Sequence, residues 1–193
     1  MKPIDRLVWI DLETTGLDPE KDQILEVAIV VTDGKLTELA TEHWTVKPPA
    51  GLPALHQAVV KMHSKNGLFS ELHEGDPLAV VDILAAAVVH TWSASGGPIC
   101  GSTPQFDKRF IDRYMPLLSS CFNHRVFDAS TLKLAWCLAT RQEWKEGAPA
   151  HRALDDIRYS IEVAKQCGTG FVRKEDPIGD QSRHDYPDPM VPK

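Results

Sequence analysis

The chain of 193 residues has no cysteine pair at CxxC spacing, no long uncharged apolar run and no excess of basic residues. Its scattered cysteines argue against a zinc site or a disulfide framework, and they indicate buried thiols in a reducing compartment. They are Cys100, Cys121, Cys137 and Cys167. The most apolar later stretch, residues 77–92, is too short to span a bilayer and contains Asp82. Because acidic residues flank its first apolar run, the N-terminus is a poor signal peptide. We therefore expect a soluble, cytoplasmic protein.

The net charge of -6 argues against a protein that coats long duplexes through a broad basic face. It is compatible with a small anionic substrate, because bound cations can supply the missing positive charge. A hydrophobic fraction of 42% and a charged fraction of 25% are typical of a globular protein. The length suits one domain with a substantial core.

Apolar runs predict three strands near the start of the chain, over residues 7–12, 24–31 and 36–46. Helical patterns dominate afterwards, with Asp76-Pro77 predicted to cap the first of them. The predicted helices cover residues 77–93, 106–118, 132–139 and 152–165, and short strands at 99–101 and 126–127 lie between them. This order predicts an α/β fold with a mixed sheet. We place the domain in residues 1–170, because residues 171–193 are proline-rich, charged and aperiodic, and we expect this tail to be flexible.

The first acidic motif, WIDLETTGLD, places Asp11 and Glu13 at the end of an apolar strand. Side chains two apart on a strand point to the same face, so the two carboxylates should converge. They lie at the carboxyl end of the strand, where α/β proteins place their sites. Like charges this close share either a proton or a cation. A bare acidic pair is nevertheless more often a surface feature, so the motif is weak evidence alone.

Two further acidic motifs lie in FDKRF and PAHRALDDI. Asp107 falls in the first turn of a predicted helix, where the helix dipole favours an acid in any case. His151 precedes a helix that carries Asp155 and Asp156. If His151 were helical, Asp155 would share its face, but Pro149 makes a loop equally compatible, so spacing leaves the choice open. Four carboxylates from three segments and one histidine are the inventory for two-metal phosphodiester hydrolysis with Mg²⁺ or Mn²⁺.

In order and context, DLETTG, FDKRF and HRALDD resemble the three motifs of the DEDDh 3′–5′ exonucleases, whose last motif is H-x-A-x-x-D. His151, Ala153 and Asp156 fit that pattern, which selects Asp156 over Asp155. The stretches MHSKNGL, PICG, DKRFIDRYMP and RVFDASTLK extend the likeness over residues 7–165, and they are most similar to the oligoribonuclease branch. The resemblance implies an RNase H-like fold with a mixed five-stranded sheet. It also implies hydrolysis of short RNA to 5′-mononucleotides.

The same resemblance implies roles for individual residues. Asp11 would bridge two Mg²⁺ or Mn²⁺ ions, with Glu13 and Asp156 completing one site and Asp107 helping to hold the other. His151 would be the general base. The implied substrate-binding residues are the base wedge Leu17, the terminal-nucleotide residue His63, and the 5′-phosphate cap of Thr103, Arg125 and Ser130. In that branch the arginine comes from the partner subunit, which implies a homodimer.

The chain departs from the branch at several substrate-facing positions. Ala58 stands where a tryptophan is usual, His124 where a tyrosine is usual, and Thr103 ends a G-S-T rather than a G-N-S. Loss of an aromatic platform removes about 1–3 kcal/mol of base stacking. A broader 3′–5′ single-strand exonuclease acting on DNA or RNA therefore stays as an alternative. A third, from a different class, is an inactive nucleic-acid-binding module, but such proteins typically lose a metal ligand and all five catalytic positions are filled here.

Overall fold

The computed structural model describes residues 5–49, 51–92, 96–145, 147 and 151–171, without the side chains of residues 169–171. Five strands in this part of the chain form one sheet in the order β3-β2-β1-β4-β5. They are β1 (Arg6–Thr14), β2 (Ile24–Asp33), β3 (Glu38–Thr45), β4 (Gly97–Gly101) and β5 (Phe122–Asp128). The pairs β1–β2 and β2–β3 are antiparallel, whereas β1–β4 and β4–β5 are parallel. The predicted mixed five-stranded α/β fold is confirmed.

Helices flank the sheet on both faces. Those in the described residues are α1 (Gln57–Lys65), α2 (Leu68–Glu71), α3 (Leu78–Trp92), α4 (Gln105–Tyr114), α5 (Pro116–Ser119), α6 (Ala129–Thr140) and α7 (Ala153–Phe171). The sequence did not predict α1, because this short helix buries His63 rather than an apolar side chain. The predicted cap at Asp76 is wrong. The backbone of Asp76 pairs with Thr45 and Lys47, and the carbonyl of Pro77 accepts the first helical bonds.

The central strand β1 is buried on both faces, and alternate residues serve two different cores. Val8, Ile10 and Leu12 pack in the core that α3, α4 and α5 cover. Leu7 and Trp9 pack in the second core, together with residues of α7. The alternation continues through Asp11 and Glu13, so the carboxylates extend the row that faces α7. The site therefore begins where this row stops being apolar.

No helix in the described ranges is long and apolar enough to cross a membrane. The four cysteines are free thiols, and three of them are buried. The tail predicted for residues 171–193 lies, from residue 172 onward, outside the described residues, so its flexibility stays a prediction.

Candidate active site

Three carboxylates meet at the carboxyl end of β1. Oxygen atoms of Asp11, Glu13 and Asp156 all lie within 4.8 Å of one another. Asp156 comes from the first turn of α7, which packs against the sheet through Ala153 and Ile157. One turn of helix thus brings an acid from the far end of the sequence to the pair on β1.

Asp107 approaches the same strand end from α4. Its side chain is buried, and its Oδ1 accepts a hydrogen bond from the backbone N–H of Leu12 at 3.1 Å. β4 pairs with β1 at Val8 and Trp9 and not further along, so Asp107 satisfies a strand N–H beyond that ladder. Asp107 lies beside the three-carboxylate group but is not a member of it.

The charges of this cluster are poorly compensated by the protein. Burial, reinforced by Asp107, Glu13 and Asp156, raises the pKa of Asp11 well above its usual range. Burial, followed by the charge of Asp156, raises the pKa of Glu13 to about 8. Burial also raises the pKa of Asp107 to about 7, against the hydrogen bond from Leu12. A divalent cation fits this set, because hard ions take carboxylate oxygens and would offset the repulsion.

His151 precedes α7 as a non-helical residue with a φ of 52°. Its side chain is exposed, and its backbone carbonyl accepts a hydrogen bond from the side chain of Asn66. Because His151 is outside the helix, the spacing argument for Asp155 does not apply. Asp155 is exposed, whereas Asp156 joins the acid cluster. The structure thus places Asp156, the acid that fits the motif, in the cluster and leaves Asp155 outside it.

Sequence inspection missed Glu26, which lies opposite Glu13 in the β1–β2 pair and is buried. Its carboxylate accepts hydrogen bonds from Arg152 at 2.9 Å and from the N–H of Ala153 at 3.0 Å. Burial raises the pKa of Glu26, but the hydrogen bonds from His43, Ala153 and Arg152 outweigh it and leave the pKa below its usual value. The one signal in the sequence was an acid inside the apolar run ILEVAIVV.

Leu17 is 77% exposed on the loop that leaves β1. Asp22 fixes this loop by accepting hydrogen bonds from the hydroxyl of Thr15 at 3.0 Å and the N–H of Asp18 at 2.9 Å. A Cβ at Gly16 would lie 2.5 Å from the Asp22 carboxylate, so a larger residue there would displace this side chain from its hydrogen bonds. The loop therefore presents an apolar side chain to solvent from a well-fixed backbone.

The structure does not bring His63 to an open surface. The side chain is fully buried, with Nε2 3.3 Å from the Thr14 carbonyl and 3.8 Å from the Glu13 carboxylate. Burial lowers the pKa of His63, which favours the neutral ring beside Glu13. His63 thus lies beside Glu13 of the acid cluster and is closed off from solvent.

Hydroxyl groups gather at the start of α6. The Ser130 hydroxyl lies 2.8 Å from that of Ser102 and 3.2 Å from that of Thr103. Asp128 accepts the N–H groups of both Thr103 and Ser130 at 2.9 Å, which holds Thr103 at a φ of 56°. Arg125 is exposed on the edge strand β5. Ser102 is the member of this cluster that the sequence had not singled out as a binding residue.

Comparison with known proteins agrees with this geometry. The exonuclease family model RNase_T matches residues 8–164. Oligoribonuclease of Ectopseudomonas mendocina is 35% identical over 183 residues, covering 90% of this chain and 99% of the relative. Oligoribonuclease of Actinobacillus pleuropneumoniae is 39% identical over 180 residues, covering 88% and 95%. Oligoribonuclease of Pseudomonas aeruginosa is 35% identical over 180 residues.

Solved structures support the fold alone, because their sequence identity is low. An apo exonuclease I superposes with a TM-score of 0.65 at 18% identity over 86% of this chain. A zinc-bound exonuclease I–ssDNA complex from E. coli gives 0.65 at 21% identity over 88% of this chain. The chain spans 42% and 41% of those two proteins.

Proposed function

The chain belongs to the oligoribonuclease family of exonucleases, and on this premise we propose that it hydrolyses short RNA from the 3′ end to 5′-mononucleotides. This membership confirms the resemblance drawn from DLETTG, FDKRF and HRALDD. The protein is a 3′–5′ exonuclease, as those motifs predicted. The observation that carries the proposal is the meeting of Asp11, Glu13 and Asp156, with Asp107 beside them, at the end of β1.

A divalent metal fits the site, and we propose that it binds two ions of Mg²⁺ or Mn²⁺. Asp11, Glu13 and Asp156 would hold one ion, and Asp107 would join Asp11 at the other. The ions supply Lewis-acid stabilisation of the phosphate charge that develops during cleavage. The protein contributes four carboxylates fixed by a strand and two helices, so little reorganisation is needed when substrate binds.

The remaining residues position substrate and move a proton. We assign His151 as the base that accepts the proton of the attacking water. Its exposed side chain and its position in the loop just before α7 support this role. Leu17 would pack between the last two bases. We assign His63 to the wall of the terminal-nucleotide pocket, where its position beside Glu13 supports the role.

A length limit follows from the hydroxyl cluster. Ser102 and Thr103, which follow β4, and Ser130, in the first turn of α6, would donate hydrogen bonds to a terminal 5′-phosphate. Arg125 of a second subunit would complete the cap in a homodimer. The exposed leucines Leu134 (67%) and Leu138 (72%) on α6 support this assembly, because they give the neighbouring face an apolar surface. A reducing cytoplasmic location is supported by the free cysteines.

One observation favours a broader single-strand exonuclease as the second candidate. Ala58 is exposed on α1 and provides no ring on which a base could stack. Such an enzyme would use the same acid cluster but would tolerate longer strands and deoxyribose.

The direction of cleavage tests the proposal. Purified protein with Mn²⁺ should convert a 5′-labelled RNA of five nucleotides through labelled products of four, three and two nucleotides. A labelled mononucleotide as the first product would mean attack from the 5′ end and would contradict the proposal. Binding without any product would instead support an inactive module.

A further inference from the structure

The chain bends at residues 151–153, where it enters α7, and contacts from two sides hold this bend. From the sheet, the buried carboxylate of Glu26 accepts hydrogen bonds from the Arg152 guanidinium at 2.9 Å and the Ala153 N–H at 3.0 Å. From the surface, Glu71 binds the same guanidinium through two contacts of 3.1 and 2.8 Å. Arg152 is therefore fixed between a glutamate of β2 and a glutamate of α2.

The turn between α1 and α2 supplies a further contact, to His151 itself. Asn66 ends α1, and its side-chain N–H donates to the carbonyl oxygen of His151. Its Oδ1 accepts the N–H of Leu68 at 3.1 Å, which settles the orientation of the amide. The two ends of the Asn66 amide thus bind different segments: the N–H group binds His151, and the oxygen binds Leu68.

This contact falls on a backbone that needs support. His151 has a φ of 52°, a left-handed conformation that is uncommon for a residue with a side chain. An exposed side chain in such a conformation is fixed only as well as the peptide groups on either side of it. Arg152 and Ala153 anchor the C-terminal side of His151, and Asn66 anchors its carbonyl.

We propose that Asn66 is a positioning residue, which fixes the carbonyl of His151 and so holds its imidazole where it can accept the proton of the attacking water. The inference deepens the proposed function and rests on the assignment of His151 as base. It gives a role to the asparagine of MHSKNGL, which the metal-site residues leave unexplained.

The test uses two exchanges at this position in the full-length protein with Mn²⁺ and a 5′-phosphorylated diribonucleotide. Asn66→Asp keeps an oxygen for the Leu68 N–H but replaces the donor to His151 by a repelling carboxylate. Asn66→Ser, which is too short to reach His151 but retains a hydroxyl acceptor, serves if the first variant does not fold. Ser70→Ala is the matched control, because it removes a side-chain hydrogen bond to Gly67 in the same turn without touching His151.

We expect either exchange to lower kcat by about 10–100-fold, since small misplacements of reacting groups have effects of this size. The KM and the Mn²⁺ affinity, measured by calorimetry, should stay within about twofold, and Ser70→Ala should behave as wild type. In a His151→Ala background the exchange should have no further effect on kcat, because its influence passes through His151.

Three results would overturn the inference. They are an unchanged kcat in both Asn66 variants, a multiplicative loss in the double variant, or a parallel fall in Mn²⁺ affinity, which would mean that Asn66 acts through the metal ligands or the fold. Full turnover in His151→Ala alone would instead refute the base assignment in the proposed function, and the positioning role would fall with it.

Discussion

Glu13 and Glu26 lie directly opposite each other on β1 and β2, and their carboxyl groups have opposite pKa shifts. Burial is the largest influence on the pKa of both carboxyl groups. Around Glu13 it is followed by the charges of Asp156, Glu26 and Asp107, and the pKa rises to about 8. Around Glu26 it is outweighed by hydrogen bonds from His43, Ala153 and Arg152. Glu13 is therefore left for a cation, whereas Glu26 is already paired within the protein.

Glutamine exchanges should separate these two roles. Glu13→Gln should raise the melting temperature of the metal-free protein, because it removes a poorly compensated charge, and it should reduce Mn²⁺-dependent cleavage at least about 100-fold. Glu26→Gln should lower the free energy of unfolding by about 2–3 kcal/mol, since it weakens charged hydrogen bonds in a buried site. Thermal and urea denaturation in the presence of a chelator would measure the melting temperature and the free energy of unfolding. Equal destabilisation by the two exchanges would contradict the distinction.

The stability of the metal-free protein should depend on pH in a direction set by Glu13. Its pKa is about 4.5 in the unfolded chain and about 8 in the folded protein, so the folded state prefers the neutral acid. The associated stability is present below pH 4.5 and is lost as the pH rises towards 8. Melting temperatures in chelator should therefore fall across this window more steeply for wild type than for Glu13→Gln. Saturating Mn²⁺ should reduce the fall, because the cation stabilises the ionised form; identical slopes with and without Mn²⁺ would contradict this.

Adjacent acids on α7 offer a direct test of the metal-ligand assignment. Asp156→Asn should reduce cleavage at least about 100-fold, because its oxygen belongs to the group with Asp11 and Glu13. Asp155→Asn should leave kcat and KM near wild type, because Asp155 is exposed and outside that group. Steady-state kinetics with Mn²⁺ on a short RNA would compare them. The reverse order of effects would remove Asp156 from the site.

The exposed side chain of Leu17 should contribute to binding rather than to chemistry. Leu17→Ala should raise the KM for short RNA about tenfold with little change in kcat, because the loss of buried methyl groups on substrate binding weakens affinity. Leu117→Ala is the control, because it makes the same side-chain change at another exposed leucine, on α5, that is 49% exposed. A Leu17→Ala protein with unchanged KM would remove the residue from the substrate site.

The proposed homodimer predicts complementation between two impaired proteins. Arg125→Ala should lose rate on 5′-phosphorylated dinucleotides, and Asp11→Asn should be inactive. If Arg125 serves the partner's site, mixed dimers contain one complete site, so an equal mixture after subunit exchange should recover about a quarter of wild-type activity. Activity no higher than the sum of the separate proteins would show that the cap is not shared.

Local sequence patterns predicted the parts of the fold that bury apolar side chains. β1 and β2 were predicted correctly because both are buried on both faces. The length of β5 was underestimated because His124 and Arg125 lie exposed on an edge strand. The convergence of Asp11 and Glu13 followed from strand periodicity. Their meeting with Asp156 did not, because the left-handed bend at His151 depends on tertiary partners.

The supporting contacts around the site were outside the reach of sequence inspection for the same reason. Glu26 and Arg152 are separated by 126 residues, and Asn66 and His151 by 85. No periodicity links such positions. Only the folded chain brings the turn after α1 beside the start of α7.

The central claim, an exonuclease that acts on very short RNA, is tested most directly by the dependence of kcat/KM on strand length and sugar. The purified protein with Mn²⁺ would be given 5′-phosphorylated RNA of two, three, five and ten or more nucleotides, and DNA of the same lengths. The hydroxyl cluster of Ser102, Thr103 and Ser130 predicts the highest kcat/KM on the diribonucleotide and a decline with length. Equal values on the diribonucleotide and on long single-stranded DNA would contradict the claim and establish the broader exonuclease.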